Sequence, residues 1–290
     1  MKKLLLMLLA YLMILPAAQA EIYYNTEVPQ DWYTRPILRL TAIDVNRSDA
    51  MLLECGGEAV LVDGGSGPER DKLFAAVDQA GVSRFKYLFS THSDNDHIHG
   101  LKYLMETGRY QVDLFTSPNK TSYADSAGYH QMTMKVINRM HIPYHQVEDG
   151  EVLTLGDAKL TVMRCMKNWG ANNRSAVLMV QLGNSRVLLT GDIDNKTMRH
   201  YVEKYGADAI KADILKAPHH GIATIPDEFR NAVNPEMIFI TNMQEKTSKF
   251  NANLKGRAPE IKLLYSGDAA IYMETDGTDW YVWQKLPEEK

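Results

Sequence analysis

The chain has only two cysteines in 290 residues, Cys55 and Cys165. They form no Cys-x-x-Cys spacing, which excludes a cysteine zinc site and a small disulfide-stapled fold. Each lies in an apolar, strand-like stretch, where a lone thiol is usually a small buried hydrophobe, so both are expected to stay free. Basic charge is not in excess either. With 32 Lys and Arg against 36 Asp and Glu, the net charge of −4 gives no general attraction to nucleic acid, which is therefore a possible but not a favoured partner. No low-complexity tract or repeat interrupts the chain, and 45% hydrophobic residues suffice for a substantial core.

Long apolar runs are missing beyond the first twenty residues. There, Lys2 and Lys3 precede an apolar run from Leu4 to Leu15, then Pro16 and Ala18-Gln19-Ala20. A membrane helix needs roughly 20 apolar residues, and this run is shorter. It reads as a signal peptide over 1–20 with a small-residue cleavage site near Ala20, implying an exported, periplasmic or secreted protein without a stable membrane anchor. No cysteine follows the small residues, so no lipid anchor is expected. Residues 21–290 read as a single domain.

Three strands are expected over 38–45, 50–54 and 59–62, and a helix over 69–80 with Pro68 at its start. A strand over 85–89 then leads into His92-Ser93-Asp94-Asn95-Asp96-His97, and a helix over 97–106 ends at Gly108. Further on, the pattern predicts a strand at 112–116, a helix at 127–140, hairpins 152–155 with 159–163 and 176–182 with 186–189, and a helix at 196–205. A strand over 213–216 delivers Pro218-His219-His220-Gly221, and an Asp276-Gly277 turn joins two aromatic-rich strands. Interleaved helices and frequent hairpins predict an α/β chain with mixed sheets.

Four potential metal ligands within six residues, at the end of an apolar strand, are the strongest chemical signal. In an extended segment, residues two apart share a direction, so His92 and Asp94 can address one ion. Asp96 and His97, where the chain turns into a helix, can address a second. Two such ions clamp the attacking and leaving oxygens of a hydrolysis. The competing reading is a helix cap at Asp94 or Asn95, which leaves two histidines unexplained. Asp192 and the pair His219-His220 also follow apolar strands, although a lone Asp there is often a turn residue.

These residues resemble the metallo-β-lactamase superfamily, and within it the ComEC-like hydrolase-domain subgroup. The resemblance rests on 88–97, on Leu188-Leu189-Thr190-Gly191-Asp192 and on Leu215-Lys216-Ala217-Pro218-His219-His220-Gly221. Looser matches are Asp44-Val45, Asp49-Ala50, Leu61-Val62-Asp63-Gly64-Gly65 and 172–178. It implies an αββα sandwich, two mixed sheets face to face with helices outside. It also implies two divalent metal ions, zinc or manganese. His92 and Asp94 would hold the first, Asp96, His97 and one of His219 and His220, with His220 preferred, the second, and Asp192 would bridge them. Asp63 would sit behind the ligands and orient them, or simply be a turn Asp before Gly64-Gly65. His219, with Asp96, is the candidate catalytic pair, His219 facing the substrate.

The segment 172–175 stands where many members carry a further histidine, and Asp94 replaces another, leaving an oxygen-rich first site that suits Mn as well as Zn. His99 reads as a solvated helix position and Lys216 as plain surface. The expected activity is hydrolysis by a metal-bound hydroxide, on a phosphodiester or another small molecule. The alternatives are hydrolysis of a β-lactam, lactone or thioester, and a degenerate binding domain.

Overall fold

Ala176–Leu182 buries six of its seven side chains, so it needs a layer on each face. Its alternate residues divide accordingly. Leu178, Val180 and Leu182 join one apolar cluster, while Val177 and Met179 join another. Met51–Cys55 does the same, sending Met51 and Leu53 to the first cluster and Leu52 to a third. A computed structural model describes residues 20–167 and 169–286, and this double burial organises it. The segment expected to be a signal peptide lies, but for Ala20, outside the described residues.

Two mixed sheets face each other across the first cluster. The nine-stranded sheet runs, in spatial order, 22–24, 280–284, 271–275, 38–42, 51–55, 58–62, 87–89, 115–117 and 144–146. The seven-stranded sheet runs 152–155, 158–164, 176–182, 185–189, 214–216, 237–240 and 262–265. Helices Arg70–Gln79, Asn95–Glu106 and Tyr129–Arg139 bury their apolar faces over the first sheet, and Asn195–Tyr205, Asp227–Val233 and Ser248–Lys255 over the second. This is the expected αββα sandwich. Both cysteines are buried and free, Cys55 between the sheets and Cys165 under the second helical layer.

The expected strand over 85–89 is two. Arg84–Phe85 pairs with Gln111–Val112 as a small separate sheet, and Tyr87–Phe89 enters the large one. Lys86 bonds back to the carbonyl of Ala59 where the chain changes sheets. The expected 112–116 strand splits likewise, into Gln111–Val112 and Phe115–Ser117.

The turn after Glu58–Val62 lies directly on helix Asn95–Glu106. Gly64 N–H donates to the His97 carbonyl at 2.7 Å and Gly100 N–H to the Gly65 carbonyl at 2.9 Å. A Cβ on Gly100 would fall 1.8 Å from the Gly64 carbonyl oxygen, so backbone meets backbone. Gly100→Ala is therefore expected to lower stability by about 3 kcal/mol or more. A urea midpoint equal to wild type would show that the helix tolerates displacement here.

Candidate metal centre

Parallel pairing of 58–62 with 87–89, and of 185–189 with 214–216 and 237–240, places the C-terminal ends of these strands along one edge of each sheet. Asp63, the run 91–97, Asp192, His219, His220 and Thr241 all lie just past those ends. Open α/β sheets gather ligand-binding groups at this location. The sheets are joined there by Ala176 N–H donating to the Thr91 carbonyl at 2.9 Å and by the Thr241 hydroxyl donating to Asp49 Oδ1 at 2.5 Å.

The ring nitrogens converge on one carboxylate oxygen. Asp192 Oδ2 is 3.2 Å from His97 Nε2 and 3.3 Å from His220 Nε2, and the two nitrogens are 3.3 Å apart. Asp96 Oδ2 stands 3.4 Å from His220 Nε2. Tetrahedral ligands held about 2.0–2.1 Å from a zinc ion are separated by about 3.3 Å, so these edges fit one cation. A second, looser group contains His92 Nε2, 3.7 Å from Asp94 Oδ2 and 3.9 Å from Asp192 Oδ2. His92 Nε2 and Asp192 Oδ1 are buried without a hydrogen-bond partner, which leaves a lone pair on each for a cation. The donor set fits divalent metal.

Behind the rings, a layer of hydrogen bonds fixes the tautomers. His97 Nδ1 bonds Asp63 Oδ2 at 2.8 Å, and the Thr91 hydroxyl also donates to that oxygen at 2.6 Å. The Thr91 oxygen in turn faces His92 Nδ1 at 3.2 Å. His220 Nδ1 meets Thr241 Oγ1 and Asp49 Oδ1, both at 3.1 Å. With each Nδ1 so engaged, each Nε2 is turned to the centre. Asp63 takes φ 56° at this turn, a left-handed conformation that its bonds to His97 and Thr91 hold in place.

Asp49, His97, Asp192 and His220 lie close enough to share one ion. The orientation of the rings gives Asp49 a different position. It faces their Nδ1 sides, 3.1 Å from His220 and 3.6 Å from His97, away from the converging Nε2 atoms. It faces the rings as an orienting carboxylate would, and the sequence marked it only as part of the loose family match Asp49-Ala50. Thr241 was equally hidden, its one signal being a polar residue just after an apolar strand.

Two surface readings are corrected. Lys216 is wholly buried, its ammonium 2.6 Å from Asp49 Oδ2 and donating to the Gly191 carbonyl at 2.9 Å. His99 is half-buried, bonded to Asn95 Oδ1 at 2.7 Å and packed on Tyr103 and Tyr129 rather than solvated. Nor does the Asp94 side chain cap the helix that begins at Asn95. Residues 172–175 bring no imidazole. Asn173 bonds Asp194 and the Trp169 carbonyl, and the Ser175 hydroxyl accepts from Asp192 N–H at 3.2 Å.

His220 and His219 both adopt left-handed backbone, φ 52° and 50°, yet they end in different places. His220 is fully buried, whereas His219 stands partly exposed at the rim with Nε2 3.7 Å from Asp192 Oδ2. Burial holds the His219 ring below its ordinary pKa, with the His220 and Lys216 charges adding to this against Asp192.

Burial alone pushes the other two rings down as well, but carboxylates reverse it. Asp192, Asp63 and Asp49 hold His97 well above its usual range, and Asp192 with Asp49 holds His220 up to about 10. Asp96, raised by burial, is nonetheless held down to about 2 by His220 and His97. Both upward shifts favour a proton on His97 and on His220, which a cation must displace. Apparent metal affinity is expected to rise with pH through the neutral range, with net proton release on binding. Calorimetry in buffers of different ionisation heat measures that release; a heat independent of buffer would contradict it.

Residues 43–233 match the family model described as Metallo-beta-lactamase superfamily. The chain is 25% identical over 224 residues to Recombination protein 2 of Haemophilus influenzae, covering 75% of this chain and 26% of that protein. It is 25% identical over 244 residues to ComE operon protein 3 of Bacillus subtilis, covering 77% of this chain and 29% of that protein. It thus spans less than a third of the length of these relatives. Among solved structures, the metallo-beta-lactamase fold protein YhfI of Bacillus subtilis matches with a TM-score of 0.53 at 13% identity, covering 87% of this chain and 100% of that one.

Proposed function

The chain belongs to the metallo-β-lactamase superfamily, and from that premise we propose that it is a metal-dependent hydrolase acting on a phosphodiester. The observation that carries the reading is the set of 3.2–3.4 Å edges joining Asp192 Oδ2, His97 Nε2, His220 Nε2 and Asp96 Oδ2. Asp96, His97 and His220 would hold one cation, His92 and Asp94 a second, and Asp192 both. Bound divalent ions supply Lewis-acid polarisation of the scissile group and activate water at neutral pH. Asp63, Asp49, Thr91 and Thr241 keep the three rings aimed. His219, at the rim, offers a ring N–H to charge developing on the substrate.

Support for a phosphodiester comes from the ligands of the His92–Asp94 cation. Asp94 stands in place of an imidazole and no histidine lies in 172–175, so this half is rich in oxygen and suits manganese beside zinc. One of the relatives is named a recombination protein, a name consistent with nucleic-acid phosphodiester chemistry. The net charge of −4 favours a short phosphodiester over a long nucleic acid.

The test is to measure bound metal and then assay bis(p-nitrophenyl) phosphate, a chromogenic cephalosporin and a lactone with added Zn²⁺ or Mn²⁺. Preferential turnover of the phosphate is expected. Preference for either of the others would move the assignment within the fold, and sub-stoichiometric metal with no turnover would make this a binding domain.

Export belongs to the same proposal. Cleavage after Ala20 would leave the Glu21 nitrogen as a terminal ammonium, and that nitrogen lies 3.0 Å from Asp279 Oδ1. The mature protein is expected to begin near Glu21; a secreted preparation that retains Met1 would refute removal of the leader.

A further inference from the structure

Beside the metal centre lies a cavity of about 320 Å³ whose charged lining is entirely basic: Lys120, Arg164, Lys167 and Arg174, with Asn119 and Tyr123. Its walls continue from the site. Pro118 and Asn119 leave strand Phe115–Ser117, which pairs with the strand leading to His92, and Arg174 precedes the Ser175 that accepts from Asp192 N–H.

Arg164 is 8% exposed, and among the described residues its guanidinium bonds the carbonyls of Val147 at 2.6 Å and Pro118 at 2.7 Å, with Nε buried and unpaired. The carboxylate of Asp149, which accepts from the Arg164 backbone N–H, is turned to Lys204 and Tyr205. A buried cation without a carboxylate is costly unless an anion completes it. Asn119, 7% exposed, has a second buried donor, Nδ2, without a partner among the described residues. Tyr123 adds an aromatic face, with the Arg174 guanidinium 5.7 Å from its centroid.

We infer that this cavity is a phosphate-binding subsite, which holds a second phosphate of the substrate while the scissile one lies at the metal centre. Its place in turnover rests on the phosphodiester reading; its capacity to bind phosphate does not. A guanidinium and an amide N–H₂ are the donors that phosphate oxygens take. The volume lies at the lower end of ligand pockets, enough for a phosphate with part of its ester.

The variant Lys120→Glu/Lys167→Glu reverses two exposed rim charges and leaves the buried groups in place. Metal-loaded wild type and variant are titrated calorimetrically with inorganic pyrophosphate and with a 5′-phosphorylated thymidine dinucleotide. The dissociation constants are expected to rise about tenfold or more in the variant. For the p-nitrophenyl ester of that dinucleotide, KM should rise by the same factor with kcat unchanged, while bis(p-nitrophenyl) phosphate, which has no second phosphate, is hydrolysed as by wild type. Equal binding of both probes by the two proteins would overturn the subsite. Weakened binding with no phosphodiester turnover by either protein would keep the subsite and overturn the proposed activity. Tighter wild-type binding of the dinucleotide than of pyrophosphate would assign the phosphate to a nucleic-acid strand, and the reverse order to a phosphorylated small molecule.

Discussion

Asp192→Ala is expected to abolish binding of both cations and to lower turnover on the order of a thousandfold or more. One oxygen of this residue is the point the other groups share, 3.2 and 3.3 Å from His97 and His220 and 3.9 Å from His92. Its second oxygen is buried without a hydrogen bond, 3.7 Å from the Lys216 ammonium. Asp192→Asn should behave like the alanine variant, because an amide keeps the shape but loses the charge that draws two cations together. Both proteins should still fold: with Asp192 gone, His97 and His220 lose their foremost carboxylate and hold their protons less tightly, while Asp49 and Asp63 still face them. Metal content by mass spectrometry, with circular dichroism for the fold, reads the result. Full activity in Asp192→Ala would sink the two-metal assignment.

The same geometry explains which parts of the site could be found by reading the chain. The run 92–97 was legible because four potential ligands crowd a strand end, and Asp192 and His219-His220 because each follows an apolar strand. Periodicity also located the sandwich's longer strands and the helices 70–79, 95–106, 129–139 and 195–205 to within a few residues. Short elements escaped it. Met237–Ile240 and Lys262–Tyr265 are four residues each with no tight hairpin turn or ligand motif beside them, and become strands only by pairing with neighbours already in place. Lys216 was misread for a related reason. An ionic residue in sequence reads as exposed, and only the tertiary fold brings a buried partner to it.

That buried pair bears the second large expectation. Lys216 and Asp49 are both fully enclosed, 2.6 Å apart, and Asp49 also faces His220 Nδ1 at 3.1 Å. Lys216→Met keeps the bulk but strands the Asp49 charge, and removing one member of such a pair costs about 3–5 kcal/mol. Asp49→Asn leaves Lys216 its bond to the Gly191 carbonyl and its approach to Asp192, so its loss should be smaller. In Lys216→Met/Asp49→Asn neither charge is left unpaired. The double variant is therefore expected to be more stable than the sum of the single losses predicts, by about 2 kcal/mol. Urea unfolding of the four proteins measures this coupling, and strict additivity would show that the two charges do not act as a pair. Metal affinity should not recover with stability. In the double variant an amide replaces the carboxylate behind His220, and the ring loses the charged acceptor that helps turn Nε2 towards Asp192. Recovery of stability without recovery of metal would separate the two tasks of Asp49: neutralising a buried lysine, and aiming a histidine.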